Sequence, residues 1–103
     1  MAITSHTIGF EGAQTIAQAE AAQVRLRAAV ASGASLDIDL AAVTEADLAF
    51  VQLLVATRKS AAASGQGLRW RGGANEAVAD ALVRGGLAGS GLLEDLTAKG
   101  DTP

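Results

Sequence analysis

The sequence predicts a single α/β domain in which a small β-sheet is covered by helices. The chain has 103 residues, which is the usual size of one domain. Half of the residues are hydrophobic but only 3% are aromatic, so Ala, Leu, Val and Ile must build the core. Segments with the two-residue period of a strand alternate with segments that have the period of a helix, and this order is typical of a sheet with helices packed on it.

Three segments have the alternation expected of strands. The second is the clearest, because Asp37 and Asp39 separate three hydrophobic side chains. In the third, the same alternation turns Trp70 toward the core. The predicted strands are Ile3–Phe10, which Gly12 ends, Ser35–Leu40 and Leu68–Arg71.

Four segments have helix signals. Thr15 and Gln18 fit a capping box, and Asp47 is a good N-cap for the most apolar helix, residues 48–63. Asn75 caps a third helix, and Ser90 begins a short fourth one. The first helix is expected to bury Ile16, Ala19, Ala22, Leu26, Ala29 and Val30. The predicted order is therefore β-α-β-α-β-α-α, with room for a further N-terminal strand.

The chain is expected to be one domain over residues 1–98, followed by a flexible tail at residues 99–103. Its N-terminus has neither the basic segment nor the apolar run of a signal peptide. No stretch reaches the roughly 20 apolar residues that span a bilayer. These features predict a cytoplasmic protein without direct membrane insertion.

Composition and reactive residues argue against several classes of function. The net charge of −3 argues against a nucleic-acid partner, and the absence of cysteine excludes thiol chemistry. The single histidine, His6, has no acidic neighbour in the sequence, which favours a surface or edge position. Asp37 and Asp39 share a strand face, but two carboxylates do not make a metal site, and a solvated or capping pair is the better interpretation. No enzyme activity, cofactor or metal is predicted.

Residues 38–54 contain the most specific pattern. A strand ends, a loop follows, and an aspartate begins an apolar helix. The matching residues are Asp39-Leu40, Val43-Thr44, Asp47, Ala49 and Gln52-Leu53-Leu54. This pattern resembles the STAS family, which comprises anti-anti-sigma factors and the C-terminal domains of sulfate transporters. The resemblance is closest to the free-standing STAS proteins found with bacterial chemotaxis genes, and it extends to Thr15-Ile16, Ala19, Arg58–Gly65 and Gly85-Gly86-Leu87.

The resemblance implies a small domain with a central mixed β-sheet and about four helices, whose work is to bind proteins. In anti-anti-sigma factors the serine after the aspartate is phosphorylated, and the added charge abolishes docking. Leu48 stands at that position here and has no hydroxyl, whereas Phe50 stands at a position where the family has glycine. Thr44 is the best remaining hydroxyl for phosphate, although a turn residue bonded to its own backbone is the favoured interpretation.

The predicted partner-binding residues are those of the loop and helix start. They are Thr44, Asp47, Leu48, Ala49, Phe50 and Val51. Phe50 shares the inward stripe of the helix with Leu53 and Leu54, which favours its burial, and Leu48 is the better candidate for exposure.

Three kinds of partner fit the resemblance. The first is a kinase-like or chemotaxis-signalling protein that binds the loop and helix start. The second is an ABC lipid-transport complex in which the chain is a structural subunit. The third is a small ligand or nucleotide. A symmetric homodimer is a further alternative, because an exposed Leu48 or Phe50 would be self-complementary across a two-fold axis.

Overall fold

Within residues 5–71 and 75–97, which the computed structural model describes, strands and helices alternate as the sequence pattern predicts. The elements are β1 (Ser5–Gln14), α1 (Ile16–Ala31), β2 (Ser35–Ala46), α2 (Leu48–Ser64), β3 (Leu68–Arg71), α3 (Glu76–Arg84), a 3-10 turn (Ala88–Ser90) and α4 (Leu92–Thr97). The predicted tail at residues 99–103 lies outside the described residues, as does the Gly72-Gly73 pair, at which the sequence predicts that the third strand ends. The α/β class is therefore confirmed.

The three described strands form one parallel sheet in the order β1-β2-β3. The mixed sheet implied by the resemblance is thus parallel in every strand that the structure describes. A further N-terminal strand would fall on residues 1–4, outside the described part of the chain.

The first two strands are longer than the sequence pattern predicts. Gly12 lies inside β1, where it pairs with Val43, and Ala13 pairs with Glu45. The register shifts on either side of Gly12, whose φ of 70° is accessible to glycine at little cost. The predicted break at Gly12 and the predicted loop at residues 41–46 are therefore wrong, because both segments are paired in the sheet.

The helices lie on one face of the sheet. Parallel strands in sequential order with right-handed crossovers place α1 and α2 on the same side, and the two helices pack against each other. α3 packs on β2 and α2. The opposite face is polar, with Thr7, Asp37 and Arg69 side by side in register on the three strands.

The core fills the space between the sheet and the helix layer. Phe10 from β1 and Phe50 from α2 meet edge to face, with ring centroids 5.2 Å apart and an interplanar angle of 74°. Trp70 is buried, as its strand alternation predicts. The largest fully buried aliphatic side chains are Leu26, Leu36, Ile38, Leu40, Leu54, Leu82 and Leu92. No helix among the described residues has both the length and the apolar character that crossing a membrane requires.

The first helix departs from its predicted inward face at its start. Ala22, Leu26 and Ala29 are buried as expected, but Ile16 is 76% exposed. Ile16 is the first residue of α1, so it lies about 1.7 turns before Ala22, the first buried position. The Gln18 half of the predicted capping box is present, because Gln18 Oε1 accepts from the Thr15 backbone N–H at 3.1 Å.

Arg58 of α2 links the segment from Ser90 to Asp95 to the rest of the domain. Its Nε donates to Asp95 Oδ2 at 2.6 Å, and its Nη1 donates to the Ser90 carbonyl at 3.1 Å. The guanidinium lies against Gly91, where an added Cβ would come within 2.7 Å of Nη2. Gly91 also has a φ of 92°, which side-chain-bearing residues rarely adopt.

Replacing Gly91 with alanine is expected to lower the free energy of unfolding by about 1–3 kcal/mol, since the backbone is strained and Arg58 is displaced. Urea unfolding followed by circular dichroism measures this loss. Gly89→Ala is the control, because a Cβ at Gly89 meets no atom within 4 Å. Equal losses in the two variants would contradict the role of Gly91.

Candidate functional site

The candidate site begins where β2 ends and α2 begins. The Asp47 carboxylate accepts a hydrogen bond from the Phe50 backbone N–H at 3.2 Å, so Asp47 is the N-cap that the sequence predicts. The Asp47 N–H donates to the Gln14 carbonyl at 3.2 Å, which ties the junction to the end of β1. Asp47 therefore fixes the start of α2 through two hydrogen bonds, one with the first turn of the helix and one with the end of β1.

Leu48 is the first residue of α2, and 45% of its surface is exposed. Its side chain lies over Gly85 at the end of α3, where a Cβ would come within 2.6 Å of Leu48 Cδ1. Together with Asp47, Ala81 and Arg84, these two residues line a groove of about 190 Å³. The sequence predicts that Leu48 is more exposed than Phe50, and this prediction is confirmed.

The side chains of Phe50 and Val51 are buried, with 1% and 0% of their surface exposed. They therefore cannot offer their side chains to a partner, and the predicted binding set is corrected by removing them from the surface. Their contribution is indirect, because they anchor the first turn of α2 in the core. Ala49 is half-buried beside them.

Thr44 is exposed, but it lies in β2 and not in a free loop. It borders an open groove of about 720 Å³ whose other wall is the start of α3, including Glu76 and Asp80. Asn75 holds this wall in place, since its Nδ2 donates to the carbonyls of Leu40 and Val43 at 2.9 Å.

α3 supplies the part of the site that sequence reasoning missed. Ala81, Arg84 and Gly85 lie beside Leu48, although more than 30 residues separate them from it in the chain. The Gly85-Gly86 pair was the available signal, but it predicts only a helix stop. Gly85 indeed ends α3, and its missing side chain also leaves the space that Leu48 occupies.

Charged residues of both signs lie beside Leu48. The half-buried Asp47 and the exposed Arg84 line its groove, and the exposed Glu76 and Asp80 line the groove beside Thr44. Arg84 is the basic residue bordering the groove beside Leu48, and it is paired with Asp80 at 2.7 Å. An apolar side chain bordered by the Asp47 carboxylate and by the ion pair of Arg84 with Asp80 suits a protein partner with an apolar contact and polar residues around it.

The other reactive residues considered in the sequence have structural surroundings. Asp37 is 8% exposed and receives two contacts from Arg71, Nε to Oδ1 at 2.9 Å and Nη2 to Oδ2 at 2.7 Å. Asp39 accepts from the Ala41 N–H at 2.9 Å, and His6 is half-buried in the edge strand β1. The sequence predicts a solvated or capping pair of carboxylates. In the structure Asp37 forms an ion pair with Arg71, and Asp39 accepts a hydrogen bond from the backbone. Across the described ranges no three His, Cys, Asp or Glu side chains are grouped to hold a metal.

Comparison with protein families gives one match that covers most of the chain. A family model described as "Mlab, STAS domain" matches residues 3–95. The match includes the three described strands and the whole junction from β2 to α2. Comparison with curated proteins gives no significant match.

Proposed function

The chain belongs to the STAS domain family, and on this premise we propose that it is a signalling module that docks on a protein partner through the surface around Leu48. STAS domains are in general non-enzymatic binding modules, which fits a regulatory or interaction role. The docking surface consists of Thr44, Asp47, Leu48 and Ala49, extended by Arg84 and Gly85 of α3. The partner is a kinase-like or chemotaxis-signalling protein of a bacterial cytoplasm.

The exposure of Leu48 is the observation that carries this proposal. A leucine on the first turn of a helix can turn either into the core or into solvent, and here Phe50 and Val51 occupy the core. Leu48 is left on the surface beside a groove, where a partner can bury it. Burial of an apolar side chain at the centre of an interface is a common source of binding energy.

Phosphorylation at the family's serine position does not control this docking. Leu48 stands there and offers no oxygen to a kinase. Thr44 is the exposed hydroxyl residue of the proposed docking surface, and it borders the same groove as Glu76 and Asp80. A phosphate on Thr44 would meet these carboxylates, so like-charge repulsion opposes a switch at that position.

Site-specific photo-crosslinking tests where the partner docks. A photoreactive residue is placed at Gln52, which is exposed one turn after Leu48, or at Lys59, which is exposed two turns further along α2. In cells of the source organism, the variant at Gln52 is expected to form an adduct with a protein and the variant at Lys59 is not. An adduct from Lys59 alone, or from neither position while the unmodified chain still captures its partner, would overturn the proposal.

A second candidate function is that of a structural subunit in an ABC lipid-transport complex. The exposed apolar side chains of Ile16, Val24 and Val83, which lie away from the groove beside Leu48, favour it because a permanent complex covers more apolar surface. Deletion of the chain is then expected to lower the cellular level of an ATPase partner. A partner level that is unchanged, with the chain recovered free of it, would speak for the signalling module.

A further inference from the structure

α1 has a second apolar face that points away from the core. Its residues are spaced by four and three positions, which keeps them on one side of a helix. Val24 is at the centre and is 63% exposed. The members of this face are Ala17, Ala21, Val24, Ala28 and Ala31, and all of them are exposed. The buried positions of the same helix, Ala22, Leu26 and Ala29, lie on its other side.

The exposed face of α1 continues into a groove between α1 and α2. This groove has a volume of about 370 Å³ and is lined mainly by apolar side chains, including Val30 and Ala31 of α1 and Leu53 and Ala56 of α2. A helix lying along α1 would therefore meet apolar surface on two neighbouring elements.

Two opposite charges flank this face on one side. Glu20 and Arg27 are exposed and seven residues apart, so they occupy the same flank of α1 at opposite ends. Neither forms a hydrogen bond or an ion pair with another described residue. Arg25 on the other flank differs, since its Nη2 donates to the Gly9 carbonyl at 2.8 Å and its guanidinium lies 4.6 Å from the centre of the Phe10 ring.

We propose that this face binds a second copy of the chain, with the two α1 helices packed antiparallel about a two-fold axis near Val24. The charges decide the direction. An antiparallel pair places Glu20 of each copy beside Arg27 of the other, which gives two ion pairs by symmetry. A parallel pair has its two-fold axis along the helices, so it places the flank that contains Glu20 and Arg27 against the opposite flank of the other copy, and these two ion pairs cannot form. The alanines around Val24 allow the two backbones to approach closely.

The expected dimer is weak. α1 has 16 residues and is about 24 Å long, so a single pair of such helices covers less area than a stable interface requires. The groove between α1 and α2 adds to the covered surface. Self-association is therefore expected at about 10–200 µM protein, the range of a weak dimer with a Kd of tens to hundreds of micromolar.

Charge reversal with sedimentation velocity tests this arrangement. Glu20→Arg and Arg27→Glu are each expected to weaken dimerisation at least about tenfold. In a dimer of either variant, residues 20 and 27 of opposite copies have the same charge at both contacts. An equimolar mixture of the two variants is expected to dimerise as the wild type does, since both ion pairs return in the mixed dimer. Circular dichroism checks that both exposed substitutions leave the fold intact.

Val24→Asp is expected to abolish the dimer, and Val83→Asp is its matched control. Val83 is a valine of similar exposure, at 58%, but lies on α3. A wild type that stays monomeric throughout the concentration range would overturn the proposal. So would a dimer that survives Glu20→Arg, or two single variants that do not associate when mixed. Leu48 lies outside this face of α1. Failure of the dimer test therefore does not affect the proposed docking function, and failure of docking at Leu48 does not affect the proposed dimer.

Discussion

Replacing Phe50 with alanine is expected to lower the free energy of unfolding by about 3–5 kcal/mol. The side chain is 1% exposed and forms the edge-to-face contact with Phe10 that links α2 to β1. The substitution removes the ring from a close-packed interior and also leaves a cavity. Domains of this size have total stabilities of about 5–15 kcal/mol, so the variant is expected to retain only part of its stability.

Urea unfolding of Phe50→Ala and Leu48→Ala measures this effect with an internal control. The two residues are two positions apart on α2, but Leu48 is 45% exposed and borders an open groove. Leu48→Ala is therefore expected to cost under about 1 kcal/mol. If the two substitutions cost the same, the division between a core residue and a surface residue at the start of α2 would be wrong.

Replacing Leu48 with aspartate is expected to weaken partner binding by about 30- to 1,000-fold, the range that corresponds to loss of a central contact. The substitution removes an apolar side chain and adds a carboxylate beside that of Asp47. A partner would have to bury this charge without an apolar contact in return. Isothermal titration calorimetry with the captured partner measures the loss.

The same substitution is expected to leave the fold stable. Leu48 is partly exposed, and an acidic residue in the first turn of a helix interacts favourably with the helix dipole. Leu48→Asn separates the loss of apolar contact from the added charge, and Val83→Asp controls for an added charge elsewhere on the surface. Partner affinity that is unchanged in Leu48→Asp would contradict docking at this position.

Local sequence signals predicted the parts of the structure that depend on neighbouring residues. The N-cap at Asp47 and the burial of Trp70 both follow from patterns within a few residues, and both are confirmed. The exposure of Leu48 followed from its place in the first turn, because Phe50 already shared the inward stripe of the helix.

Contacts between distant segments account for what the sequence did not predict. Residues 41–46 lack a clear strand period, yet they extend β2 because β1 runs beside them and supplies hydrogen-bond partners. Ile16 has the spacing of a buried residue, but α1 only reaches the core from Ala22 onward. Gly85 reads as a helix stop, and its contact with Leu48 depends on how α3 packs against α2.

Docking through the surface around Leu48 is tested most directly by nuclear magnetic resonance of the labelled chain titrated with its partner. The largest shifts of backbone amide signals are expected at Thr44, residues 47–49, Arg84 and Gly85, which lie at the grooves beside Leu48 and Thr44. The exposed sheet face around Thr7 and Arg69 is expected to stay unchanged. Shifts concentrated on that sheet face, with residues 44–49 unaffected at saturation, would contradict the proposed docking site.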